Sequence, residues 1–141
     1  MEQKTFEKIK EELLLRAKKA GACQIGYAMG LRSQSKADIL KAITDNWFWV
    51  LRTARIVDAE YLEDNFTEEE LTEAGIYTQK YHEVTTTSFA CGSATVEAYE
   101  NSYVEDLTGN IRPQSGYAVI KDYYNHKIYI KKGRYQIVEV D

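Results

Sequence analysis

Ala94-Thr95-Val96-Glu97-Ala98-Tyr99-Glu100-Asn101 is followed at once by Ser102-Tyr103-Val104-Glu105-Asp106-Leu107-Thr108-Gly109, a near-copy displaced by eight residues. Thr95 matches Tyr103, Val96 matches Val104, Glu97 matches Glu105, and the turn positions Asn101 and Gly109 coincide. Strict alternation closed by a turn residue is the pattern of short strands joined by tight turns. Repetition at a short fixed period points to stacked strands that share a narrow buried face. In the first unit Ala94, Val96 and Ala98 face one way, and Thr95, Glu97 and Tyr99 the other. Small inward side chains imply close approach of a facing layer, and outward tyrosines are expected to stack rung upon rung. The repeat describes a scaffold and holds no reactive group.

Around this stretch the chain divides by rhythm. After Gly75 the apolar period changes from about 3.6 to 2, and nine of the eleven tyrosines lie beyond that point. Strands are expected over residues 82–89, 94–99, 103–107, 117–121, 127–131 and 135–140. Their separators are Cys91-Gly92, Glu100-Asn101, Thr108-Gly109-Asn110, Tyr124-Asn125 and Lys132-Gly133. Ile111 to Gly116, with the only proline, Pro113, interrupts the repeat.

Before Gly75 the signals are helical. Thr5 caps a helix to about Ala20 with Gly21 as its stop, and Phe6, Ile9, Leu13, Ala17 and Ala20 form its apolar face. Cys23 to Leu31 reads as a short helix, and Ser35 with Asp38 as the cap of the next. Trp47-Phe48-Trp49-Val50-Leu51 has the flanks of a helix, Asp58 opens another, and Thr67 with Glu70 makes a capping box. The chain is therefore expected to be α+β. An N-terminal helical subdomain, 1–78, packs against a C-terminal β-meander or short β-solenoid, 79–141. Two or three rungs do not stand alone, so the helical half is read as a cap.

The bulk properties narrow the function classes. One core fits 141 residues. A net charge of −4 argues against nucleic acid as a partner. Lys121, Lys127, Lys131, Lys132 and Arg134 read as a guarded sheet edge. No stretch approaches the ~20 apolar residues that span a bilayer. The start, Met1-Glu2-Gln3-Lys4-Thr5, leads into an amphipathic helix rather than an apolar signal core, so a cytoplasmic protein is expected. Cys23 and Cys91 are then buried thiols, slow to alkylate until the protein is denatured.

The phrase Ala94 to Ser102 resembles tandem repeats in uncharacterised proteins of gut Bacteroidales and their phages and mobile elements. Phe6 to Lys19, Ser35 to Ala42 and Gly75-Ile76-Tyr77 are similar in placement. The resemblance implies a helical N-terminal region, a short repetitive β-region and a phage or mobile-element origin. It carries no catalytic residues.

Cys23, His82, Cys91 and His126 are the only candidate soft metal ligands, and they lack the close pair typical of zinc sites. Cys91 with His82 or His126 is the best nucleophile–base pair on offer, without an activating signature. Gly26-Tyr27-Ala28-Met29-Gly30 lacks the spacing of a phosphate loop. Glu68-Glu69-Glu70 suits a helix N-terminus. Tyr117, Lys121, Tyr123, Tyr124, Lys127, Tyr129 and Lys131 mix aromatic and basic groups, but the alternation Ile128-Tyr129-Ile130 fits a cross-strand ladder better than base stacking.

The expectation is thus no enzyme, no cofactor, no metal and no catalytic residue. Tyr99, Tyr103, Tyr117, Tyr123 and Tyr129 are the expected binding face of a protein-interaction or structural protein that binds a protein partner or itself. The alternative is an anti-CRISPR-like inhibitor of a host defence nuclease, with Glu68, Glu69, Glu70, Glu97 and Glu105 imitating phosphates.

Overall fold

The computed structural model describes residues 3–113, 117–132 and 134–140, with side chains at all of these but 111–113, 131, 132 and 134–136. It is α+β, in two compact units, Met1–Ala74 and Gly75–Asp141.

The first unit is built by its caps. Helix α1, Phe6–Lys19, starts where Thr5 Oγ1 accepts the Lys8 N–H at 3.3 Å, and it buries Ile9 and Leu13. Helix α2, Gln24–Arg32, is capped by Cys23, whose sulfur accepts the Gly26 N–H. Ser35 caps α3, Lys36–Asp45, which buries Ile39, Leu40 and Ile43. The Trp47–Leu51 run is helical and widens into a π-helical segment, Trp49–Thr53, marked by a bond from Ala54 N–H to Trp49 C=O. Trp47, Val50 and Leu51, three and four apart, are buried, and Phe48 is exposed. Asp58 caps α4, Ala59–Asn65, and the Thr67–Glu70 capping box starts α5, Glu68–Glu73.

Two polar clusters tie these helices. Glu12 of α1 accepts from Lys4 Nζ at 2.8 Å and from the Tyr61 hydroxyl of α4 at 3.2 Å. Burial and then Glu12 push the Tyr61 hydroxyl up to about 12. Lys36 of α3 donates to Asn65 C=O and stands 3.8 Å from Glu70.

The second unit begins at Gly75, so its first strand, β1, Ile76–Tyr77, lies ahead of the expected boundary at 79. The run 82–89 is not one strand. It breaks at Thr85-Thr86-Thr87 into β2, Tyr81–Val84, and β3, Ser88–Ala90. The threonines form a polar corner, and the inward residues on either side, Val84 and Ser88, are buried. Next come β4, Thr95–Ala98, and β5, Tyr103–Asp106. Ile111–Pro113, expected as an interruption, is strand β6, while residues 114–116 lie outside the described residues. The hairpin strands are β7, Val119–Asp122, β8, Lys127–Lys132, and β9, Arg134–Glu139. Gly133, half of the expected Lys132-Gly133 separator, lies outside the described residues.

Strands β1, β3, β5 and β7 pair in parallel in one sheet, and β2, β4 and β6 pair in parallel in another. The chain therefore winds alternately between two sheets, as a short solenoid does, and each return to the same sheet advances 13 to 16 residues. The eight-residue repeat is half a coil: its first copy is β4, and its second is β5 in the other sheet. A meander exists only at the end, where β8 and β9 add antiparallel to β7.

Inside lie Val84, Ala90, Val96, Ala98, Val104, Ala118 and Ile120, with Tyr77 and Tyr129 packed against them. Ala94, Val96 and Ala98 point inward as the alternation requires, and all three are fully buried. Glycine is demanded at two corners. At Gly75, φ is +78° and a Cβ would sit 2.8 Å from Thr87 O; at Gly109, φ is +78° and a Cβ would meet the Tyr124 ring at 2.7 Å.

Two carboxylates close the corners from within. Asp106 and Asp122 are register partners at the ends of β5 and β7, and both are buried. Asp106 accepts from Thr108 N–H and Gly109 N–H at 2.8 Å each, and from the Thr108 hydroxyl at 2.6 Å. Asp122 does the same for Asn125, through its N–H and its amide. Burial raises the Asp106 carboxyl above its ordinary range; the three donors oppose this, and Asp122 adds to it. Replacing Asp106 by Ala orphans three donors, each worth about 1–3 kcal/mol when buried and unmet. The full chain with Asp106→Ala is expected to lose at least ~2 kcal/mol in urea denaturation, more than a Thr95→Ala change on the outer face.

Candidate functional site

The solenoid's outer faces repeat one device. Tyrosine and glutamate stand two residues apart on a strand, so both side chains emerge on the same side and the hydroxyl reaches the carboxylate. On the β2–β4 sheet the Tyr81 hydroxyl lies 3.4 Å from Glu83 Oε1, and the Tyr99 hydroxyl donates to Glu97 Oε2 at 2.9 Å. Glu83 and Glu97 are register partners, which sets two like charges side by side. Phenolic donors offset that repulsion. Hydrogen bonding to Glu97 is the main cause that holds both Tyr81 and Tyr99 above the ordinary tyrosine range.

On the other sheet a four-residue array surrounds Glu105. Its two oxygens lie 3.4 Å from the Tyr103 hydroxyl and 3.2 Å from the Tyr123 hydroxyl. Lys121 is the register partner of Glu105 on β7, and its ammonium stands 5.6 Å from the centre of the Tyr103 ring. Hydrogen bonding to Tyr103 and that group's charge raise Lys121 above the ordinary lysine range, against a smaller cost of burial, and Glu105 adds the least. Burial and then Glu105 raise the Tyr123 hydroxyl.

The five expected binding tyrosines do not share one face. Tyr103 and Tyr123 meet at Glu105, and Tyr99 belongs to the β2–β4 sheet. Tyr117, just before β7, is 79% exposed. Tyr129 is opposite Ile120 in the register, on the inward side, and packs on the core. Burial raises its hydroxyl above the ordinary tyrosine range. The expected tyrosine-on-tyrosine ladder is replaced by mixed rungs, since Tyr103 pairs with Val119 and Tyr81 with Thr95. Tyr81 was missed, although the spacing Tyr81-x-Glu83 repeats as Tyr103-x-Glu105.

The other candidates are dispersed. His82 Nε2 lies 2.8 Å from Gln79 O, with its ring 4.5 Å from that of Tyr77. His126 is exposed in the β7–β8 turn, with φ +57°. Cys91 is buried, as expected, and Cys23, expected to be buried, is exposed because its sulfur caps α2. Among the described residues no three His, Cys, Asp or Glu side chains converge as metal ligands, and no helix is long and apolar enough to cross a membrane. No protein-family model, curated protein or solved structure matches this chain.

Two measurements follow from this geometry. In the native protein iodoacetamide is expected to label Cys23 readily and Cys91 only after denaturation; mass spectrometry of the two peptides reads the order. Glu97→Gln is expected to lower the ionisation midpoints of Tyr81 and Tyr99, seen as earlier phenolate absorbance in an alkaline titration, because the charge opposing phenolate formation is gone.

Proposed function

We propose that this is a non-catalytic protein-binding module whose recognition surface is the outer face of β5 and β7, centred on Tyr103, Glu105, Lys121 and Tyr123. The observation that carries this reading is the Glu105 array itself. One carboxylate orients two tyrosine rings, and a lysine carries the compensating charge. Tyrosines held in place offer large contact area at small entropic cost, and a satisfied charge group adds orientation. A protein partner suits such a surface, and a second copy of this chain is one candidate. Nucleic acid suits it less, since Glu105 sits at the centre of the patch.

The phosphate-mimic reading has weaker support. Glu97 and Glu105 stand on the outer faces of different sheets. Glu70 accepts the Thr67 N–H and stands beside Lys36. Glu97 and Glu105 therefore do not form one continuous anionic strip.

A pull-down from a bacterial lysate and light scattering over a range of concentrations test the reading together. A double Tyr103→Ala, Tyr123→Ala variant is expected to lose the captured partner or the self-associated species, while Tyr117→Ala keeps it. An unchanged result with a correctly folded double variant refutes this face as the binding surface.

A further inference from the structure

The helical unit holds a half-open cavity of about 290 Å³ bounded by α1, α2, α3 and the π-helical segment. Its wall is apolar, with Leu13 and Ala17 from α1, Ile39 and Ile43 from α3, and Trp49 and Val50 beyond. Helix α2 shows why the space exists. Its sequence, Gln24–Arg32, contains Ile25, Tyr27, Ala28, Met29 and Leu31, yet none of its residues is buried. A surface helix normally buries an apolar stripe. Here Gly26 and Gly30, one turn apart, line the cavity in place of side chains. At Gly30 a Cβ would stand 2.9 Å from Leu14 Cδ2, so glycine permits the close approach to α1. At Gly26 the nearest atoms to a Cβ are Cys23 Sγ at 3.4 Å and Asn46 Oδ1 at 4.0 Å. The helix thus touches α1 closely at Gly30, while the cavity opens beside Gly26.

The cavity also has a charged end. Lys10, half-buried, lines it, and its ammonium donates to Leu31 O and Ser33 O at 2.8 Å each. Those two carbonyls use two of its three protons, and the ammonium also stands 5.8 Å from the centre of the Phe6 ring. Among the described residues no carboxylate forms an ion pair with it. A cation at the edge of an apolar cavity, with a proton left to donate, is complementary to an anionic head on a hydrocarbon body.

Size narrows the class. An apolar cavity of ~150 Å³ accepts benzene, and a water takes ~30 Å³ of liquid volume, so this one has room for roughly ten non-hydrogen atoms. We propose that the cavity binds a medium-chain fatty acid, its carboxylate on Lys10 and its chain against Leu13, Ile43 and Trp49. The ligand would supply the packing that α2 lacks. This involves the helical unit alone and stands apart from the tyrosine face.

Octanoate is the probe, with octanol as its uncharged counterpart, and calorimetry and tryptophan emission are the readouts on the full chain. Octanoate is expected to bind saturably and shift the emission of Trp49, and to bind better than octanol. Lys10→Met is expected to weaken octanoate about tenfold and leave octanol unchanged, which is the loss of one charge-assisted hydrogen bond. Lys10→Arg is expected to restore most of the difference. Ala42 of α3 also lines the cavity, and Ala42→Leu, which fills it, is expected to abolish both; Ala17→Leu does the same from α1 if the first variant fails to fold. Absence of saturable octanoate binding, or binding that survives filling the cavity, overturns the proposal. Equal affinity for octanoate and octanol, unaffected at Lys10, overturns the carboxylate assignment and with it the proposed class.

Discussion

The β unit depends on one constraint: a coil that crosses between two closely spaced sheets every half-turn has room inside for little more than valine and alanine. That is why Ala90, Ala94, Ala98 and Ala118 are wholly enclosed. Strand alternation on β4, β5 and β7 then turns the intervening positions outward, where Glu97, Tyr103, Glu105 and Lys121 stand. The corners carry the remaining burden. Each reversal exposes backbone N–H groups at the lip of the core, and unmet donors there are expensive. Asp106 and Asp122 answer this by turning their carboxylates back on the following turn.

The cost of that solution is two buried carboxylates in register. The raised Asp106 carboxyl reports it, with burial as the leading cause. Burying a charge is tolerable only when hydrogen bonds replace its water, and here Asp106 receives three. The outer faces meet a milder form of the same problem. Parallel stacking sets register partners side by side, so one glutamate can face another, as Glu83 faces Glu97. Tyrosine hydroxyls two residues away offset the repulsion, and where β7 follows β5 a lysine takes the place of the second glutamate. The feature that stabilises the scaffold also orients the rings proposed as a recognition surface.

The helical unit follows a different economy. Its helices are set by local caps, from Thr5 through Ser35 to the Thr67–Glu70 box, each satisfying the first free N–H groups of its helix. Caps fix where helices start, but they do not decide whether the space between helices is filled. Beneath α2 a cavity remains, lined by Gly26 and Gly30 among apolar side chains of α1 and α3.

What the sequence determined by itself was whatever depends on near neighbours along the chain. Caps, helix stops, the change of period at Gly75, and the inward set Ala94, Val96 and Ala98 all rest on interactions within a few residues, and the local pattern is sufficient for them. The break at Thr85-Thr86-Thr87 was hidden because threonine suits strands and corners alike. The assignment of β4 and β5 to opposite sheets was hidden too, since inward–outward alternation reads the same whichever sheet a strand joins. Only pairing between residues 13 to 16 apart decides that. Tyr129 turned inward and Cys23 outward for similar reasons: the register with β7 places the first, and a backbone N–H rather than a core claims the second. The Glu105 array and the cavity beneath α2 gather residues from separate strands and helices. Their existence follows from tertiary packing, which brings together groups that no local period relates.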